Sequence, residues 1–96
     1  MNRAQILEQL VRAKPHLGRE FGVTRLALFG SCARGTARPD SDVDVLVAFS
    51  GPATSSRYFG VQFYLEDLLG ARIDLVTEPI MRPELRSLIE AEAVNV

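Results

Sequence analysis

Cysteine, histidine, lysine and net charge are all scarce in this chain. Of its 96 residues only Cys32 is a cysteine. A single thiol excludes an internal disulfide and any zinc site built from several cysteines. No activating His or Asn stands with Cys32, which reads as a small filler beside a turn. The one histidine, His16, has no metal-ligand partner near it in sequence and reads as a solvated or capping side chain. Eleven basic and 12 acidic residues leave a formal charge of −1, without the basic excess of a general nucleic-acid binder. Lys14 is the one lysine, so the remaining basic residues are all Arg. Arginine suits bidentate contacts to phosphate, although coding bias gives the same count. No apolar run approaches membrane-spanning length, and the N-terminal segment carries Glu8 within a helical pattern, unlike a leader. The expectation is a cytoplasmic protein.

Apolar residues make up 47% of the chain, enough to fold, and the length suits one domain over residues 1–96. Asn2 can cap a first helix in which Ile6, Leu7, Leu10 and Val11 recur at helical spacing. Pro15 disfavours regular continuation, with Leu17 and Phe21 extending the pattern past a break. Val23–Phe29 (VTRLALF) and Val43–Phe49 (VDVLVAF) read as strands, the second nearly all apolar and so central. Between them, Ser31–Gly35 can form one helical turn, and Thr36–Ser41, with Pro39 and Asp40, reads as a loop. Ser55 or Ser56 can cap a helix ending at Leu69, with Val61, Leu65, Leu68 and Leu69 as its buried stripe and Gly70 as its stop. Arg72–Thr77 reads as a third strand. Pro79 interrupts, and Pro83 suits the first turn of a last helix with Leu85, Leu88 and Ile89 facing inward. The closing AVNV can add a short strand. Tyr58 and Tyr64 read as helix-packing residues.

The order is α-β-β-α-β-α, an α/β (α+β) fold with a small mixed sheet of three or four strands. A helix-sized connection makes the second and third strands parallel. The short link between the first and second makes those antiparallel. Connection lengths alone therefore bring the end of the first strand and the starts of the other two to one edge of the sheet.

That edge collects the chemistry. Residues two apart in a strand share a face, so Asp42 and Asp44 project side by side. Adjacent carboxylates repel unless a cation lies between them or one is protonated. Hard oxygen ligands on a rigid strand suit Mg²⁺, which completes its shell with water and substrate phosphates. Asp74, in the third strand, supplies enough ligands for two ions about 4 Å apart, the spacing used in phosphoryl and nucleotidyl transfer. Alone, Asp74 also fits an edge carboxylate paired with Arg72 or Arg25. Gly30 lets a phosphate approach the backbone, and the Ser31 hydroxyl with the following N–H groups can hold a triphosphate tail. Arg34 can reach the same charge or serve a structural ion pair; Arg38 is a weaker candidate.

Gly30-Ser31, ten residues, then Asp42-x-Asp44 resembles the signature of the polymerase-beta-like nucleotidyltransferase superfamily. The stretch FGSCARGTARPDSDVDVLV, with Arg34, Gly35, Ser41 and Asp42, looks like its minimal, single-domain prokaryotic branch. The four fixed positions would arise by chance in a chain of this length on the order of once in a thousand. The resemblance implies Asp42 and Asp44 as metal ligands, Gly30 and Ser31 as the phosphate turn, and Asp74 as a third carboxylate that holds metal or deprotonates the acceptor. It implies a Mg²⁺-dependent, ATP-using enzyme. Members of the minimal branch are commonly paired with a small helical HEPN-type toxin, an RNase, and the implied reaction is transfer of AMP from ATP onto a toxin tyrosine, the chemistry of a type VII antitoxin. Homo- or hetero-oligomers are compatible with that role, and no direct nucleic-acid or membrane partner is implied. Two other functions fit the residues: a non-catalytic module that neutralises a partner by occlusion, and nucleotidyl transfer to a small hydroxyl compound. The second is disfavoured because nothing in the chain reads as an added acceptor lobe.

Overall fold

A computed structural model describes residues 2–38, 40–78 and 82–96; the turn readings of Pro39 and Pro79 lie outside them. The order is α1 (Arg3–Phe21), β1 (Val23–Phe29), α2 (Gly30–Arg34), β2 (Val43–Phe49), α3 (Ser55–Leu69), β3 (Ile73–Thr77), α4 (Pro83–Glu92) and β4 (Val94–Asn95). The four strands form one sheet in the order β3-β2-β1-β4. β2 is central, antiparallel to β1 and parallel to β3, as the connection lengths require. AVNV does supply an edge strand, with Val94 opposite Leu28 and Asn95 opposite Ala27.

One face of the sheet is thickly covered. Leu26 and Leu28 of β1, Val43, Val45 and Val47 of β2, and Ile73 and Leu75 of β3 pack against Ile6, Leu10 and Leu17 of α1 and Val61 and Leu65 of α3. Truncating one of the fully buried leucines removes about 2–5 kcal/mol by the usual cavity cost. The Tyr58 hydroxyl donates to the Leu75 carbonyl at 2.8 Å, tying α3 to β3. Gly60 leaves room for Phe21, since a Cβ there would lie 2.3 Å from its ring. His16 is half-buried and stacks on Tyr64 at a centroid distance of 4.5 Å, its ring face giving α1 and α3 a further contact.

The opposite face carries little apolar cover. Ala27, Phe29 and Leu46 are buried there, packed against Val76 of β3 and against Ile89 and Ala93. No residue of α4 is buried. Leu85 and Leu88, expected to face inward, are 49% and 66% exposed. Polar contacts fasten this helix instead. Arg25 binds both oxygens of Glu90 at 2.6 and 2.9 Å, Glu78, and the Asn95 side chain at 2.8 Å. The Arg34 guanidinium pairs with Glu92 at 2.6 Å.

Local signals held at most helix ends. Asn2 and Gln5 form a reciprocal capping box at α1. α1 nevertheless runs unbroken through Pro15, whose ring stands exposed between the buried Ala13 and Leu17. Tertiary packing of those neighbours offsets the one hydrogen bond that proline removes. The α3 cap is Thr54, one residue before the expected serines; its hydroxyl accepts from the Arg57 N–H at 3.2 Å. Val11 and Leu68, counted among inward-facing residues, are 56% and 38% exposed because each lies at the margin of its stripe.

Candidate active site

The register of three strands decides where the acidic residues stand. Asp44, the second residue of β2, lies directly opposite Phe29 on β1 and directly beside Asp74 on β3. Side chains alternate along β2, so with Val43, Val45 and Val47 in the thick core, Asp44 and Leu46 point to the thinly covered face. Asp74 and Val76 share that face by the same alternation. Asp42 precedes β2 and is exposed, as is Asp74; Asp44 is half-buried. Asp42 also borders a cleft of about 340 Å³ with Ser41, Gly70, Ala71 and Arg72.

Gly30 ends β1 and begins α2 at φ +72°, in the left-handed region. A Cβ on Gly30 would fall 2.1 Å from Asp44 Oδ2, so only glycine permits this turn to lie against that carboxylate. Ser31 follows, half-buried, and its carbonyl accepts the Thr36 N–H at 3.0 Å to close the turn. The loop back to Asp42 is pinned at Ser41, whose hydroxyl accepts the Arg38 N–H while its own N–H donates to the Arg38 carbonyl, each at 3.0 Å. Cys32 is buried behind the turn with its thiol toward the Asp42 carbonyl at 3.8 Å, and burial first, then Asp44, pushes that thiol up. A thiol so placed is filler.

Burial, then the neighbouring Asp74 and more distantly Asp42, pushes the Asp44 carboxyl up to about 6, with Arg34 opposing. Gly30 thus abuts Asp44, Asp74 stands beside Asp44 in register, and Asp42 is near enough to act on it. Among the described residues Asp74 forms an ion pair with neither Arg72 nor Arg25, and Arg25 is engaged by Glu78 and Glu90. Arg34 makes the structural ion pair, with Glu92, and still acts on Asp44 through space. Glu92 had no signal in sequence, lying 58 residues from Arg34.

Among the described residues no group of three or more His, Cys, Asp or Glu side chains is placed to hold a metal ion. The donor set nonetheless suits a hard divalent cation. The crowding that pushes the Asp44 carboxyl up to about 6 leaves an excess of negative charge for a cation to relieve. An ion that draws most of its shell from water and substrate phosphates needs only one or two carboxylates.

A Gly-Ser turn laid against a strand-borne Asp pair, on a sheet of this topology, defines a nucleotidyltransferase. The sequence profile of the family described as "Nucleotidyltransferase domain" matches residues 8–96, and the chain belongs to that family. It is 37% identical over 91 residues to the protein adenylyltransferase MntA of Thermococcus cleftensis, an alignment covering 94% of this chain and 92% of that one. A solved minimal nucleotidyltransferase superposes with a TM-score of 0.86 at 38% identity, covering 100% of this chain and 97% of the other. A chain from the complex of a tri-AMPylated Shewanella oneidensis HEPN toxin with an MNT antitoxin shares the fold at TM-score 0.61 and 18% identity, covering 98% of this chain and 67% of that one. No helix among the described residues is long and apolar enough to cross a membrane.

Proposed function

We propose that the chain, acting as one domain in the cytoplasm, transfers AMP from ATP to a tyrosine of a small helical HEPN-type toxin and so serves as its antitoxin. The observation that carries the chemistry is the packing of Gly30 against Asp44 with Asp74 alongside. The partner rests on likeness: a relative is named a protein adenylyltransferase, and a fold neighbour comes from a complex with an AMPylated HEPN toxin.

In this reading Gly30, Ser31 and Arg34 bind the triphosphate tail, and Asp42, Asp44 and Asp74 hold Mg²⁺. The ion, when bound, neutralises phosphate charge as the transferring group is attacked. The acceptor oxygen forms a bond to the α-phosphorus, the bond from that phosphorus to the bridging oxygen breaks, and pyrophosphate departs. Asp74, exposed and in register with Asp44, would help hold the ion or take the hydroxyl proton. No protein nucleophile is required; orientation and charge complementarity supply the rate.

The test is incubation with labelled ATP, Mg²⁺ and a purified HEPN-type helical protein, taken from an adjacent reading frame where one is present. The expected result is label on a partner tyrosine, reduced at least about 10³-fold in an Asp42→Asn, Asp44→Asn double variant, an effect of the size seen when charge-stabilising groups are removed. Equal labelling by the double variant removes the reading. Full neutralisation of the toxin by that variant without labelling supports occlusion instead.

A further inference from the structure

We infer that Glu92 is a positioning residue that holds the Arg34 guanidinium at the phosphate end of the active site. The inference rests on the site reading above. Arg34 is the last residue of α2, four residues from the Gly30 that abuts Asp44. Glu92 is the last residue of α4, and one of its oxygens takes one terminal nitrogen of Arg34 at 2.6 Å. Among the described residues the Arg34 side chain donates no other hydrogen bond, so its remaining donors are available to a ligand. A carboxylate masking the arginine would have engaged the fork at two points, as Glu90 does with Arg25.

The physical role follows from entropy and charge. An exposed arginine samples many rotamers, and a phosphate that captures it must order them all. One ionic tether removes much of that freedom beforehand. The site needs the cation held: three carboxylates already oppose a polyphosphate, and Arg34 is the cation that acts on Asp44. Glu92 in turn is fixed from two sides. β4 begins two residues later and pairs with β1, and Glu90, two residues earlier, is gripped by Arg25. The C-terminal segment thereby becomes part of the nucleotide site without touching nucleotide.

The experiment measures the dissociation constant of a non-hydrolysable ATP analogue with Mg²⁺ for the parent, Glu92→Ala, Glu92→Gln, Arg34→Ala and the Arg34→Ala, Glu92→Ala pair. Thermal unfolding is recorded for each. Glu92→Ala is expected to weaken binding roughly 3- to 10-fold, the range of an exposed ion pair plus one ordered side chain. Glu92→Gln should fall between it and the parent. The pair should match Arg34→Ala alone, since Glu92 acts only through that arginine. With a labelled acceptor, KM for ATP should rise while kcat changes less than about twofold, on the same grounds of ground-state binding. Unchanged or tighter binding in Glu92→Ala, or effects that multiply in the pair, overturns the inference while leaving the site intact. If Asp42→Asn, Asp44→Asn and Ser31→Ala also bind the analogue as the parent does, both the inference and the site reading fall.

Discussion

Two acidic clusters occupy opposite ends of the same thinly covered sheet face, and they are built on opposite principles. At the far end, Glu78 and Glu90 surround Arg25, which is held above its ordinary value chiefly by Glu90 and then by Glu78. Every charge there has a partner, and the group ties β1, β4 and α4 together. At the near end, Asp42, Asp44 and Asp74 gather with no ion pair to any of them among the described residues, and Arg34, which acts on Asp44, is itself committed to Glu92. Mutual repulsion and burial are left standing in Asp44. A fold gains stability from the first arrangement and loses it from the second. In the proposed reading the missing positive charge would arrive with the substrate, the usual reason uncompensated carboxylates mark active sites.

The largest effect that separates the two ends should come from Gly30→Ala. The new methyl would have to enter the space of Asp44 Oδ2, and the residue would have to adopt φ +72° with a side chain. Displacing the phosphate turn by about 1 Å predicts a loss near 10²-fold in AMP transfer, and the backbone strain predicts a stability cost of about 1–2 kcal/mol. Transfer assays beside urea unfolding would check both. A variant with parental activity would show that the turn is not pressed against the carboxylate.

Arg25→Ala should do the reverse: a stability loss of about 1–3 kcal/mol, from lost contacts to Glu78 and Asn95 and lost packing of the arginine stem, with nucleotide affinity changed less. The pH signature is also distinctive. Arg25 holds Glu90 below its ordinary value, so this pair contributes stability that is present above about pH 4.5 and is lost as pH falls through the lowered value. The variant and parent should therefore converge in acid. If the deficit persists undiminished at pH 3, packing and not charge fastens α4.

The near end was legible in sequence and the far end was not, for a physical reason. Gly30-Ser31 and Asp42-x-Asp44 lie within one β-turn-β unit, where spacing along the chain fixes spacing in space. Asp74 followed from a single rule, that a helix-sized link makes β2 and β3 parallel. Arg25 meets Glu78, Glu90 and Asn95 across 53, 65 and 70 residues, which no local pattern encodes. The helical spacing of Leu85, Leu88 and Ile89 correctly marked a helix but did not tell how much sheet lay beneath it; only Ile89 found cover. Pro15 misled in the same way, since a local penalty was outweighed by the core residues on either side.

The smallest effect is the most pointed, because it asks whether the near end really is destabilised by its own charges. The Asp44 carboxyl sits at about 6 in the fold against an ordinary 3.8. Between those values the folded chain keeps a proton that the unfolded chain has released, so stability must fall as pH rises from about 4 to about 6 and then level off. This sign is opposite to that of Glu90. A shift of this size corresponds to about 3 kcal/mol at most, and solvent reaching a half-buried group cuts that to the order of 1 kcal/mol. Asp44→Asn removes the charge at nearly constant shape. In metal-free buffer the variant should be more stable than the parent by the order of 1 kcal/mol at pH 8, with the gain shrinking toward zero near pH 4. Mg²⁺ should close the gap from the other side by stabilising the parent alone, because a ligand that binds only the folded state raises its stability by mass action. Urea midpoints at pH 4, 6 and 8, with and without Mg²⁺, decide it. A variant less stable than the parent at pH 8 would mean that Asp44 is already satisfied within the protein, and the electrostatic contrast between the two ends would dissolve.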